Sequence, residues 1–416
     1  MSDSQPSLRI CLVSYRSNPY CGGQGVYIRH LARALADLGH RVHVLSGEPA
    51  PILDEDIGLT VLPGLDLYSP ETMENGAGYS QLKDPLKFTE WWLNSTLGYP
   101  EPFSFGVRAR RFFEAEGHRF DIIHDNQSLS WGLLSVSRKI PTVATIHHPM
   151  TRDRDIAVMS TRNLWKRARA MRWYSFIGMQ KRVARKLPAV ITVSQVSKTD
   201  IAADFGVSPS KLHVIPIGID TARFYPLPEI PKDPRRIIVT NSADSPLKGL
   251  YYLMHAVAAM KDEGDVKLTV IGQPKEGGIV QRLVSSLGLS GVVEFTGRVS
   301  DRRLVEEYAR ASVAAVPSLY EGFGLPVGEA MACGVPVVCT DGGALPEVAG
   351  DAARIVPAGD VTALKDGLKE LLADGDAAAS LARKGEDRVH SRFVWRRTAE
   401  ETVEVYRRVM KSHCSV

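Results

Sequence analysis

Val313-Ala314-Ala315-Val316-Pro317-Ser318-Leu319-Tyr320-Glu321-Gly322-Phe323-Gly324-Leu325-Pro326-Val327-Gly328-Glu329-Ala330-Met331-Ala332-Cys333-Gly334-Val335-Pro336-Val337-Val338 is the stretch that decides how this chain is read. Val313 to Val316 is a short, unbroken apolar run, the pattern of a strand buried on both faces of a parallel sheet. It enters a glycine-rich loop. The loop is expected to open a short helix over residues 328–332, with a second apolar strand over 335–339. Such a loop turns bare backbone N–H groups and a helix N-terminus toward one point, which suits an anion. Glu321 and Glu329 flank the loop, eight positions apart. A carboxylate repels phosphate, so both are read as holding neutral hydroxyls or a developing positive charge. Phosphate on the amides with hydroxyls on the carboxylates describes a nucleotide sugar.

The stretch resembles the Glu-x7-Glu signature of the retaining GT-B glycosyltransferases of family four. The resemblance rests on Gly322-Phe323-Gly324-Leu325-Pro326, on Glu329-Ala330-Met331-Ala332-Cys333-Gly334 followed by Pro336-Val337-Val338, and on the later Gly342-Gly343-Ala344-Leu345-Pro346-Glu347-Val348. It implies an α/β fold of two Rossmann-like doubly wound domains facing across a cleft, with a C-terminal helix crossing back to the N-terminal domain. The expected division is 1–222, joined by about 396–416, as the acceptor domain, and 223–395 as the nucleotide-sugar donor domain.

Length and composition agree with such a protein. At 416 residues the chain can bury two or three cores. A net charge of +4 gives no reason to expect nucleic acid as a partner. Cys11, Cys21, Cys333, Cys339 and Cys414 form no C-x-x-C pair, which fits a reducing compartment. Residues 1–8 are polar, and no run approaches the ~18–20 apolar residues of a membrane span. The expectation is a soluble, cytoplasmic protein that can touch the inner face of a membrane.

Along the N-terminal half, residues 8–14 read as a first strand. Cys21-Gly22-Gly23-Gln24-Gly25 comes next, then a helix over 26–38 and a strand over 41–46, one βαβ unit. The spacing is not G-x-G-x-x-G, so a dehydrogenase reading is weak. The resemblance puts Gly23 near the donor phosphates; a plain tight turn is the alternative. Residues 63–105 are irregular and aromatic, read either as an acceptor-contacting insertion or as an extra packed helix. Strands over 120–124 and 142–146 deliver Asp125, Asn126, Gln127, His147 and His148 to the ends where open α/β sheets hold ligands. His147 matches the family histidine beside the transferred sugar, while His148 stands where the family has Asp. Residues 152–186 carry eleven Lys and Arg against Asp153 and Asp155. That basic, amphipathic segment suits either an anionic membrane surface, as a peripheral contact, or a charged acceptor; a solvated helix face is the plain alternative.

Prolines 226, 228, 231 and 234 mark a linker. Beyond it a strand over 236–240 leads to Lys248, which matches the family lysine on the donor diphosphate. The family arginine a few residues earlier is missing: Ser242 and Ala243 occupy its candidate positions. Arg298 or Lys275 could substitute. Gly297-Arg298-Val299 matches the family turn that meets the nucleotide base.

No H-E-x-x-H or D-x-D run stands out as a metal box, so no metal and no cofactor beyond the donor are expected. The resemblance implies front-face transfer with retention: His147 and Glu321 position the sugar, Lys248 and the amides of Gly322, Phe323, Gly324 and Leu325 hold the diphosphate, and Glu329 holds the ribose. The donor is a UDP- or GDP-sugar carrying a hexose or N-acetylhexosamine. The acceptor is a small molecule, glycan or lipid. A GT-B phosphorylase or synthase relative and a non-catalytic nucleotide-sugar-binding module are the competing readings.

Overall fold

Uninterrupted apolar runs make strands that must be covered on both faces, and strands of that kind pair in parallel through helical crossovers. The computed structural model describes residues 6–17, 23–65, 81–159, 161–240, 245–261, 264 and 266–413. Among these, the strands are β1 (Arg9–Ser14), β2 (Arg41–Ser46), β3 (Gly58–Val61), β4 (Ile122–Asn126), β5 (Thr142–Ile146), β6 (Val190–Thr192), β7 (Leu212–Val214), β8 (Arg236–Thr240), β9 (Lys267–Ile271), β10 (Val293–Gly297), β11 (Val313–Val316), β12 (Val337–Thr340) and β13 (Arg354–Val356). They form two sheets, ordered β3-β2-β1-β4-β5-β6-β7 and β10-β9-β8-β11-β12-β13, and every pairing is parallel. This is the two-domain, Rossmann-like α/β architecture expected from the sequence.

In each sheet the chain order reverses at one place: between β1 and β4 in the first, between β8 and β11 in the second. A crevice opens at the carboxyl ends of such a strand pair, because the two crossovers leave in opposite directions. Contacts divide the chain into two units. One comprises 1–193, 197–215 and 398–416; the other comprises 194–196 and 216–397.

On one face of its sheet the first unit packs two apolar clusters side by side. One is built on Cys11, Val13, Leu45 and Ile123 with Phe105, Phe113 and Phe120, the other on Ala144, Ile146 and Val190 with Ile177, Val183, Ile201 and Phe205. The second unit packs the Leu250–Lys261 and Val361–Ala373 helices onto β8, β9, β11, β12 and β13 through Leu253, Met254, Val257, Leu364 and Leu368. The C-terminal helix, Trp395–His413, contributes Tyr406 to the first unit, fully buried.

Several boundaries differ from the sequence expectation. The first helix starts at Gly23, not at Val26, and runs to Asp37, with Gly25 buried. The helix after the glycine loop starts at Leu325, not at Gly328, because Gly324 has φ +107° and Pro326 fits the first helical turn. The basic segment is three helices, Thr151–Met159, Leu164–Trp173 and Ile177–Lys186; the second starts where the Asn163 side chain accepts from the Lys166 N–H. The aromatic stretch contains the Pro85–Ser95 helix, capped by Asp84, and then the start of the Glu101–Glu116 helix. Tyr68 and Tyr79 lie outside the described residues, as do Cys21 and Gly22.

The Glu101–Glu116 and Trp131–Val136 helices touch through backbone. A Cβ added to Gly132 would lie 1.8 Å from the Gly106 carbonyl oxygen. Gly132→Ala is therefore expected to destabilise by about 3 kcal/mol, as overpacking does. Gly178 sits in the Ile177–Lys186 helix with no atom near such a Cβ. Gly178→Ala should stabilise by roughly 0.5–1 kcal/mol through helix propensity. Thermal unfolding of the two variants beside the parent checks both signs.

Candidate active site

In the first unit the site is built at the ends of β1, β4 and β5. Leaving β4, the chain turns sharply through Gln127 (φ 59°) and Leu129 (φ 48°). The Asp125 carboxylate holds that turn by accepting the Ser128 N–H at 3.0 Å and the Leu129 N–H at 2.7 Å. Burial pushes the Asp125 carboxyl up to about 6, against those two donors. The turn aims two amide side chains at the end of β5. Gln127 Oε1 accepts the His147 N–H at 2.9 Å, and its Nε2 donates to the His148 carbonyl at 3.1 Å. Asn126 Nδ2 donates to the Gln24 carbonyl at 3.2 Å, while Asn126 Oδ1 lies 2.8 Å from His147 Nε2. Asn126 thereby ties the start of the Gly23–Asp37 helix to His147. On its other side the His147 ring meets Tyr27 edge-on, with centroids 4.8 Å apart.

Behind this pair runs a buried polar string. Tyr27 Oη is 3.2 Å from Thr145 Oγ1, which is 2.6 Å from His124 Nε2; His124 Nδ1 is 2.5 Å from Tyr406 Oη. Burial, with a smaller contribution from the neighbouring His148 charge, pushes His147 down to about 3; burial and His147 do the same to His124. Both imidazoles are neutral at ordinary pH. The sequence alone places Asn126 and Gln127 only at a strand end, and it does not single out Tyr27, His124, Thr145 or Tyr406. For Tyr406, 282 positions from His124, there is no local signal.

In the second unit the corresponding ends are those of β8 and β11. Lys248 closes the Pro246–Lys248 turn, and Gly249 comes next at φ +68°. A Cβ on Gly249 would lie 1.8 Å from the Pro317 carbonyl oxygen, so only glycine lets the two loops meet. The Leu319 N–H donates to the Leu247 carbonyl at 2.7 Å and pins them. Lys248 Nζ then reaches Glu321 Oε1 at 2.6 Å, and the Ser318 hydroxyl donates to the same oxygen at 2.9 Å. The Glu321 carbonyl accepts the Ala344 N–H at 2.9 Å, and a Cβ on Gly343 would stand 2.3 Å from that carbonyl oxygen. This accounts for Gly343 in the second glycine pair.

Phe323 is buried against Phe393, with centroids 5.6 Å apart. Gly322, Phe323 and Gly324 lead into the Leu325–Ala332 helix, whose N-terminus has no side-chain cap. Glu329 lies on that helix. Burial pushes its carboxyl up to about 7, while Arg223 and the Tyr308 hydroxyl pull it down. Arg223 itself is paired with Asp301 at 2.8 Å. Arg298 and Val299 come directly after β10, the edge strand, with β9 between it and β8. The structure thus brings into contact Lys248 and Glu321, to which the sequence assigns separate roles. Ser242 and Ala243 lie outside the described residues. Among the described residues no three His, Cys, Asp or Glu side chains converge as a metal site.

The raised Glu329 carboxyl makes stability depend on pH in one direction. The folded state holds a proton that the unfolded state releases near pH 4.5, so stability falls as pH rises from there to about 7. Glu329→Gln is expected to flatten that fall, with a gain of roughly 1–3 kcal/mol over the parent above pH 7. Denaturant unfolding of both proteins between pH 4 and 8 measures it.

Comparison with known proteins places this geometry. Residues 227–388 match the family described as "Glycosyl transferases group 1", and residues 21–223 match "Glycosyltransferase Family 4". The "MMP alpha-(1->4)-mannosyltransferase" of Mycolicibacterium hassiacum is 44% identical over 408 residues, covering 97% of this chain and 98% of that protein. A "D-inositol 3-phosphate glycosyltransferase" of Xylanimonas cellulosilytica is 28% identical, covering 97% of each chain. Among solved structures, the sucrose-phosphate synthase of Thermosynechococcus elongatus superposes with a TM-score of 0.74 at 23% identity, over 97% of this chain and 100% of that one. Anabaena HepE in complex with UDP and glucose superposes at 0.69 with 18% identity, over 96% and 99%. At those identities the two structures speak for the fold, which is GT-B; by the family matches and the mannosyltransferase relative, this chain belongs to the group 1 glycosyltransferases of GT-B fold.

Proposed function

We propose that this chain is a retaining, metal-independent mannosyltransferase. It takes mannose from a nucleoside diphosphate mannose, GDP-mannose before a UDP-sugar, and extends a mannoside at its 4-hydroxyl in α linkage. The observation that carries this reading is the full-length, 44% identity to a protein named for α-(1→4) mannosyl transfer. It is supported by the cation, carboxylates and uncapped helix N-terminus around the β8/β11 reversal.

The bond between the anomeric carbon and the diphosphate oxygen breaks, and the electron pair leaves with the nucleoside diphosphate. The acceptor hydroxyl oxygen attacks the same face of the oxocarbenium-like sugar. Its proton passes to the departing diphosphate oxygen. Lys248 turns one N–H from Glu321 to the diphosphate, and the amides of Gly322 to Leu325 with their helix N-terminus stabilise the same charge. Glu321, relieved of the ammonium, takes a sugar hydroxyl, as does His147. Gly23 stands near the donor phosphates, Glu329 holds the ribose, and Arg298 and Val299 meet the base.

The test is turnover and calorimetric binding with GDP-mannose, UDP-glucose and ADP-glucose, using short mannosides as acceptors. GDP-mannose should be consumed with an α-linked product, and Lys248→Ala should lower kcat/KM by ~100-fold or more, the scale of a lost charge-assisted contact to a leaving group. Glu329→Ala should weaken nucleotide binding. A folded protein that binds a nucleotide but turns over no donor would leave a binding module, and one that binds none of the nucleotides would overturn the reading.

The peripheral membrane contact is part of the same proposal. Among the described residues no helix is long and apolar enough to cross a membrane. The Leu164–Trp173 helix, however, buries none of its residues, leaves Leu164, Trp165 and Met171 exposed, and carries Lys166, Arg167, Arg169 and Arg172 without an acid. An exposed apolar stripe flanked by cations suits an anionic bilayer. Sedimentation with phosphatidylglycerol vesicles should carry the protein down, phosphatidylcholine should not, and Trp165→Ser with Arg169→Ser should release it. Equal partition onto both lipids, or onto neither, would remove this contact.

A further inference from the structure

The two ends of the Asn126 amide have partners of different kind: Nδ2 faces the Gln24 carbonyl and, at 3.5 Å, the Ser14 hydroxyl, while the other end faces His147. The Gln24 carbonyl can only accept, so the Asn126 group facing it at 3.2 Å must be the NH2. The other end of the amide is then an oxygen, which can only accept, and it lies 2.8 Å from His147 Nε2. His147 Nε2 therefore carries a proton. The ring is neutral, so Nδ1 carries a lone pair, and Nδ1 has no partner among the described residues.

We propose that Asn126 is the positioning residue that fixes His147 as its Nε2–H tautomer, so that Nδ1 accepts a hydrogen bond from a hydroxyl of the transferred sugar. The role of that hydroxyl rests on the function proposed above; the tautomer does not. The backbone is fixed as well, by Gln127 on the His147 N–H and by the Ser197 hydroxyl on the His147 carbonyl at 3.0 Å. The ring therefore has one orientation and one protonation pattern. Such a site recognises a donor group: a sugar hydroxyl fits, whereas a fluorine or hydrogen in its place cannot donate. The titratable groups around the ring are Tyr27 at its face, His124 behind it and His148 beside it. Burial and His148 favour the neutral form, and Asn126 is where a carboxylate would reverse this.

The direct measurement is the histidine side-chain nitrogen spectrum of the full-length protein labelled at histidine, with the His147 signals identified by their loss in His147→Gln. His147 should be Nε2-protonated in the parent and should not titrate above about pH 5. In Asn126→Asp the carboxylate should raise the His147 pKa by about 2 or more, the scale of an opposite charge in contact. Turnover of that variant should then be lost below the new pKa, where Nδ1 is protonated, and recover above it. Asn126→Leu should lose about tenfold or more in kcat at every pH, with the donor KM changed less. A merely structural Asn126 would give no new pH limb and no recovery in the aspartate variant. An Nδ1–H tautomer in the parent, or an unchanged His147 titration in Asn126→Asp, would overturn the proposal. Both are read on the parent or the variant without substrate, so they stand apart from any failure to find a donor.

Discussion

A parallel sheet covered on both faces leaves the chain few places to do chemistry. The faces are occupied mostly by Leu, Val and Ile, and a polar group set among them loses its water and must find a buried partner, as His124 does in Thr145 and Tyr406. Only the strand ends remain, and of these only the reversal point opens a crevice wide enough for a ligand. Both sheets obey this. The first puts Asn126 and His147 at the ends of β4 and β5 beside the helix that succeeds β1. The second puts Lys248 and Glu321 after β8 and β11. Repetition of one arrangement by sequences without resemblance to each other comes from the packing rule and needs no shared motif.

The two ends are stiffened by different means. In the second unit glycines do it by removing side chains: Gly249 and Gly343 let loop backbones meet at distances no Cβ would tolerate. In the first unit amides and hydroxyls do it by adding bonds: Asp125, Asn126, Gln127 and Thr145 consume the polar groups of one turn and two strand ends. This difference governs how much of each end is legible in the sequence. A glycine-for-contact requirement leaves a dense local pattern, and Glu321 to Glu329 with Gly342-Gly343 can be read directly. A hydrogen-bond lattice among Tyr27, His124, Thr145 and Tyr406 joins common residue types from distant parts of the chain and leaves no pattern.

Element boundaries divide along the same physical line. β5, β8 and β11, buried along most of their length, stand where the sequence puts them. Two helices start early beside glycine, at Gly23 and at Leu325, because a glycine reads as loop even where it serves close packing or φ > 0. The basic run reads as one amphipathic segment because charge continues across it; the chain breaks at Asn163, whose side chain caps the Leu164–Trp173 helix. The edge strands β3 and β13 are only partly buried and carry no unbroken apolar run of the kind that marks β11.

Charge is balanced at both ends. The Lys248 ammonium at the β8/β11 end is neutralised by Glu321, and His147 and His124 are held neutral by burial. Glu329 sits close to half-protonated at neutral pH. At these positions the two ends thus carry little uncompensated charge before any ligand arrives. In the function proposed above, a diphosphate would bring its own negative charge and supply Lys248 with a stronger partner than a single carboxylate. The proposed exchange would free Glu321 as an acceptor only once the leaving group is in place. On that proposal the Lys248–Glu321 ion pair is the resting form of both side chains: the ammonium is kept oriented, and the carboxylate is kept from repelling an entering phosphate.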